Sequence, residues 1–174
     1  MPRALRLQYA GAFYHIVSRG VDQALIFYDE HDYKKFISYL EIFCKEFNTS
    51  IHSYCLMNNH IHLLVETKKA NLSDFMRRLL GDYAMYFNHK YLRVGHLFQG
   101  RYKSSLLDND NYLLEVSRYI HLNPCKAGII NHPELYKWSS MKDFINRNEK
   151  SFLEKNLILK NFRNISSYRN FVGV

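Results

Sequence analysis

The chain is poor in cysteine. Cys44, Cys55 and Cys125 are odd in number, and with no Cys-x-x-Cys pair they offer neither a disulfide framework nor a cysteine zinc site. They read as reduced thiols of a cytoplasmic protein. Long apolar runs are also missing: no stretch approaches the ~20 apolar residues of a membrane span, and the basic start Met1-Pro2-Arg3-Ala4-Leu5-Arg6 has no apolar run behind it. No membrane partner is expected. Repeats, low-complexity tracts and an interdomain linker are absent as well, so the expected organisation is one domain over residues 1–130 with a C-terminal segment, 131–174, packed on it. Acidic residues are the last shortage. Sixteen Asp and Glu stand against 24 Lys and Arg, giving a net charge of +8 and a pI near 9.3. That balance favours a polyanionic partner, nucleic acid first, because each cation set on a phosphate releases a counterion.

What is abundant is core material: 47% of the 174 residues are hydrophobic and 16% aromatic. Gly11 to Gly20 is rich in β-formers and reads as a first strand. From Asp29 to Phe47, Tyr33, Phe36, Ile37, Leu40, Phe43, Cys44 and Phe47 recur at three- and four-residue steps, a helical face. Ser50 to Leu56 is a second strand, and Asn58-Asn59 suits a positive-φ hairpin turn into a third. Asn71 is a candidate N-cap for a second helix carrying Leu72, Phe75, Met76, Leu79, Leu80, Tyr83, Tyr86 and Phe87. Arg101 to Leu107 alternates as a fourth strand with Arg101 and Lys103 on one side. A third helix, capped near Asp108 or Asn109, is expected to stop at Pro124. Trp138 reads as a packing anchor, and residues 151–174 as one or two short helices.

The order strand, helix, strand, strand, helix, strand predicts an α+β, ferredoxin-like (RRM-like) fold. Its four-stranded antiparallel sheet carries two helices on one face and the third helix on the other. The third strand holds the most telling pattern, Asn58-Asn59-His60-Ile61-His62-Leu63-Leu64-Val65. Alternation sends Ile61, Leu63 and Val65 to the helical face and His60 and His62 together to the open one, close enough to share a divalent ion. Taken alone, His-x-His more often fills a half-buried sheet surface. On the third helix Tyr119 and Asn123 lie four apart on one face. If that face meets the sheet, a phenol nucleophile stands beside three neutral ligands with open coordination positions. Such a set suits magnesium or manganese better than structural zinc. A free tyrosine ionises near pH ~10, so a metal that polarises the phosphate offsets its weakness as a nucleophile.

His60-Ile61-His62 after Asn58-Asn59, Phe98-Gln99-Gly100-Arg101-Tyr102-Lys103 and Arg118-Tyr119-Ile120-His121-Leu122-Asn123-Pro124 resemble the single-tyrosine HUH transposases. The closer resemblance is to the REP-associated tyrosine transposases. It extends to Tyr14-His15-Ile16-Val17-Ser18-Arg19-Gly20 and to Trp138-Ser139-Ser140, so it covers most of the chain. It implies a metal-dependent single-stranded DNA endonuclease and strand transferase that works through a 5′-phosphotyrosine, with a hairpin and its single-stranded flank as substrate. Tyr119 would be the nucleophile, with His60, His62 and Asn123 the ligands of Mg2+ or Mn2+. Relatives on insertion sequences commonly have glutamine at the position of Asn123. Arg19, Arg101 and Lys103 are the expected DNA contacts. A homodimer and a monomer are both known arrangements in such relatives. Two rivals remain at this level: a non-catalytic RRM-like nucleic-acid-binding module, though its RNP signature is not evident, and a phosphodiesterase in which water attacks and Tyr119 only binds.

Overall fold

The computed structural model describes residues 7–107, 110–146 and 151–173. Four strands, β1 (Ala12–Arg19), β2 (Thr49–Leu56), β3 (His60–Thr67) and β4 (Lys103–Leu107), form an antiparallel sheet in the order β2-β3-β1-β4. Helices α1 (Glu30–Phe47) and α2 (Leu72–Lys90) fill the two longer connections, which completes the expected ferredoxin-like order. β1 and β3 are central and paired along their whole length, from Ala12↔Thr67 to Arg19↔His60. Strand alternation then sorts the side chains. Tyr14, Ile16, Ile61, Leu63 and Val65 pack with Phe36 and Leu40 of α1 and Phe75, Leu79 and Tyr83 of α2. All are buried, each contributing on the order of 1.5–3 kcal/mol.

Local chemistry accounts for the start of α1 but not for that of α2. Asp29 caps α1 in a reciprocal box with Asp32, whose buried carboxylate also accepts from Lys90 Nζ and Tyr91 Oη, both at 2.8 Å, and so ties the end of α2 to the start of α1. Asn71 takes the N-cap position of α2, but its side chain makes no cap. Its Nδ2 donates instead to Phe47 O at 2.8 Å, where α1 leaves an unpaired carbonyl. The turn between β2 and β3 also differs from expectation. Neither Asn58 nor Asn59 adopts positive φ. Asn58 O instead accepts from Ile26 N and Phe27 N, and Asn59 Nδ2 donates to Gln23 O, so both asparagines anchor the loop after β1. β4 begins at Lys103, which leaves Arg101 in the preceding bend.

Helix α3 (Asp110–Lys126) crosses the other sheet face, over β2 and β3. The caps expected at Asp108 or Asn109 lie outside the described residues. Pro124 does not stop this helix, which runs two residues further. The proline sits in the last turn, where its missing N–H and ring disturb only the carbonyl of Ile120, and Ala127 N, Gly128 N and Ile129 N close the end. Beneath α3 lies a second core. Leu64 of β3 and Leu107 of β4 meet Val116 and Ile120, joined by Met141 and Phe144 of α4 (Met141–Ile145), Ile158 of α5 (Asn156–Leu159), and Tyr168 and Val172 of α6 (Ile165–Val172). Trp138 packs as expected, stacked on Tyr33 with ring centroids 4.4 Å apart. No helix among the described residues is long and apolar enough to cross a membrane.

Two residues from Tyr119, a buried polar network pins α3. His121 bonds Tyr168 Oη at 2.7 Å and Ser140 Oγ at 2.8 Å. Ser140 spends its own proton on Tyr54 O, so His121 Nε2 donates to it and Nδ1 accepts from Tyr168. A neutral imidazole satisfies every partner. Burial lowers its pKa to about 3, whereas an unfolded histidine takes a proton near pH ~6.5. The unfolded chain thus binds more protons below that point, and the His121 contribution is complete above it and lost as pH falls towards about 3. Between pH ~6.5 and ~5 this one group should remove about 2 kcal/mol. Urea unfolding at both pH values is the check. A His121→Gln variant should start less stable and lose less on acidification, whereas parallel losses would contradict the assignment.

Candidate active site

The sheet face beneath α3 is set by parity. Register places Arg19 opposite His60, and Val17 opposite both His62 and Lys103, so the odd residues of β1 and the even residues of β3 share one surface. α3 brings Tyr119 and Asn123 down to it. One cavity of about 370 Å³ is lined by His60, His62, Tyr119 and Asn123, and by Arg19, Arg101 and Lys103. All the residues singled out from the sequence therefore border the same space, drawn from three strands, one bend and one helix. The rings of His60 and His62 are 5.1 Å apart, and Tyr119 meets His62 edge-on at 5.7 Å. Tyr119 remains 39% exposed and accessible to a polymer.

Two close approaches shape the rim. A Cβ on Gly20 would lie 2.1 Å from Ala24 O, so only glycine lets the chain after β1 fold back beside Asn59. Gln99 N donates to Arg19 O at 2.8 Å, and Gln99 Oε1 accepts from Arg19 Nε and Nη2 at 3.2 and 2.9 Å. The guanidinium is thereby held at the cavity edge.

The histidine face is covered by the third helix, as expected, and His62 is more deeply buried than an open side would leave it. α3 and the second core close over it, and His62 is only 5% exposed. Burial, followed by the neighbouring His60 and His15, lowers the pKa of His62 to about 3. Burial and then the Arg19 charge lower that of His60. Both rings are held in the neutral form that binds metals. Each also has one nitrogen engaged: His60 Nδ1 contacts Asn59 Oδ1 at 2.6 Å, and His62 Nδ1 contacts His15 Nε2 at 3.1 Å. Asn123 Nδ2 donates to Tyr119 O at 3.0 Å, which leaves its Oδ1 as the carboxamide donor atom.

No group of three or more His, Cys, Asp or Glu among the described residues is arranged to hold a metal. Two imidazoles and a carboxamide fit only an ion that completes its shell with water or substrate oxygen, which is the habit of magnesium and manganese.

The sequence profile of the IS200-like transposases matches residues 8–123, two thirds of the chain. The chain belongs to that family. A search of curated proteins finds no match. Among solved structures this transposase is similar to a REP-associated tyrosine transposase bound to a REP hairpin, at a TM-score of 0.70 and 15% identity over 87% of this chain and 90% of that one. At that identity the likeness establishes the shared fold. A putative transposase from Deinococcus radiodurans aligns less well, at a TM-score of 0.47 and 16% identity over 69% of this chain and 95% of that one.

Four residues of this transposase join the site without a role read from the sequence: His15, Asn59, Gln99 and Lys126. Lys126 Nζ stands 4.4 Å from the centroid of the Tyr119 ring. With Tyr112, Val116 and Leu122, His15 and Lys126 line a second cavity, of about 550 Å³, on the far side of Tyr119. The parity of His15 with the histidines of β3 becomes visible only once the β1–β3 register is known, and Lys126 lies beyond the proline expected to end its helix.

Proposed function

We propose that this IS200-like transposase cleaves and rejoins single-stranded DNA through a covalent bond to Tyr119. The observation that carries this reading is the meeting of Tyr119 with His60 and His62 in one cavity rimmed by Arg19, Arg101 and Lys103. Tyr119 Oη attacks the phosphorus of a phosphodiester. The new Oη–P bond replaces the P–O3′ bond, the phenol proton passes through solvent to the departing 3′-oxygen, and the downstream strand is left as a 5′-phosphotyrosine. Attack by a 3′-hydroxyl reverses the sequence, so the ester conserves the bond energy and no external energy source is needed.

Members of this family generally use a divalent metal. Here His60, His62 and Asn123 would hold it, and when bound it would polarise the phosphate and favour the charge that develops there. Lys126, over the ring face, adds positive potential to the ring that carries the attacking oxygen. Arg19, Arg101 and Lys103 bind and orient the flanking phosphates. Hairpin DNA with a single-stranded flank is the proposed substrate, supported by the fold shared with a transposase bound to a REP hairpin. An RRM-like module would stack bases on the sheet, but α3 covers that surface over β2 and β3.

A covalent adduct separates transesterification from hydrolysis. Incubation with labelled single-stranded DNA should yield a protein-DNA species stable to denaturant, and cleavage without any adduct would favour attack by water. The cationic rim has its own test. Replacing Arg101 and Lys103 by alanine should lower the salt slope of binding by about 0.7 for every phosphate left without its cation. An unchanged slope would place the strand elsewhere.

A further inference from the structure

His60 has its tautomer fixed by a chain of hydrogen bonds. Asn59 Nδ2 donates to Gln23 O at 3.2 Å, which orients the amide so that Oδ1 faces His60. An amide oxygen only accepts, so His60 must carry its proton on Nδ1, and its Nε2 keeps a lone pair. The bond between His62 Nδ1 and His15 Nε2, at 3.1 Å, has two possible directions. If His15 donates, the neutral His62 ring carries its proton on Nε2 and that nitrogen has no lone pair to offer. If His62 donates, both cavity histidines present an unprotonated Nε2.

We propose that His15 is a positioning residue that accepts the Nδ1 proton of His62 and so keeps His62 Nε2 available as a metal ligand, matching what Asn59 does for His60. The inference rests on the reading of His62 as a ligand. Two further contacts favour it. The rings of His15 and His62 lie edge to edge in nearly one plane, 19° apart with centroids 5.3 Å from each other, as an in-plane N–H···N bond requires, which fixes the ring as well as its proton. His15 also meets Tyr119 edge-on at 5.8 Å. One side chain on β1 thus touches both the ligand on β3 and the nucleophile on α3. An acceptor of this kind is the usual companion of a metal-bound histidine and is worth about 10–100-fold in metal affinity.

The test uses the full chain and Mn2+ alone, without DNA. Nitrogen-15 NMR of the metal-free protein should show His62 as the Nδ1–H tautomer. Electron paramagnetic resonance titration should show Mn2+ binding weakened about 10–100-fold in His15→Leu, which keeps bulk but cannot accept. His15→Gln, with a carbonyl oxygen to offer, should recover most of the affinity. Circular dichroism on both variants checks folding, and Gln keeps the comparison valid should Leu fail to fold. Mn2+ affinity within twofold of wild type in His15→Leu, no recovery by His15→Gln, or an Nε2–H tautomer for His62 would overturn the proposal. A His62→Ala control separates the two claims: if it binds Mn2+ like the wild type, the ligand reading itself fails, and if it does not, only the role of His15 is in question.

Discussion

Tyr119→Phe is expected to form no covalent adduct with single-stranded DNA, and its cleavage rate should fall by at least about 10⁴-fold, as when other covalent enzymes lose their nucleophile. The substitution keeps the ring, and with it the edge contacts to His15 and His62 and the face under Lys126. Because the side chain is partly exposed, stability should change by no more than about 0.5 kcal/mol. Binding of DNA and of Mn2+ should be preserved. Mass spectrometry of the phosphorylated peptide settles the residue. Tyr112, on the same helix and lining the second cavity, is the natural substitute. An adduct on Tyr112, or brisk cleavage by Tyr119→Phe, would reassign the nucleophile.

Joint replacement of His60 and His62 by alanine should abolish Mn2+ binding and adduct formation together, and a chelator should do the same to the wild type. Folding is not expected to be untouched. His62 is buried, so its loss opens a hole against His15 and Cys55 and breaks the bond to His15, at a cost on the order of 1–3 kcal/mol. Urea unfolding of the double variant measures that cost apart from activity. Full adduct formation in excess chelator, by a protein shown to be folded, would remove the metal from the scheme.

The alternation of His60-Ile61-His62-Leu63 and the spacing of Tyr119 and Asn123 were legible because they are local periodicities, and a strand or helix converts them directly into faces. Strand order and the place of α3 followed from topology. Features set by distant partners were not legible. Asn59 reads as a turn residue, yet its amide is committed to Gln23 and His60. Pro124 reads as a terminator, but a proline in the last turn costs only one bond, so Lys126 remains helical and reaches Tyr119. The burial of His62 depends on a second core whose members, from Cys55 to Val172, come from across the chain and carry no shared periodicity.

The two cores lie on opposite sides of one sheet, with a mechanical consequence for the proposed reaction. Tyr119 travels with α3 and the C-terminal helices, whereas His60, His62 and Arg19 belong to the central strands. In the proposed reaction the phosphotyrosyl strand would hang from the helical layer, and the free 3′ end would be held only by the cationic rim of the strands. Loss of either end would turn a strand exchange into a lasting break. The Tyr54–Ser140–His121–Tyr168 network fastens the helical layer to β2. In the proposed reaction it would be the clasp that keeps severed ends within reach of each other, and loosening it should raise the share of broken DNA relative to rejoined DNA.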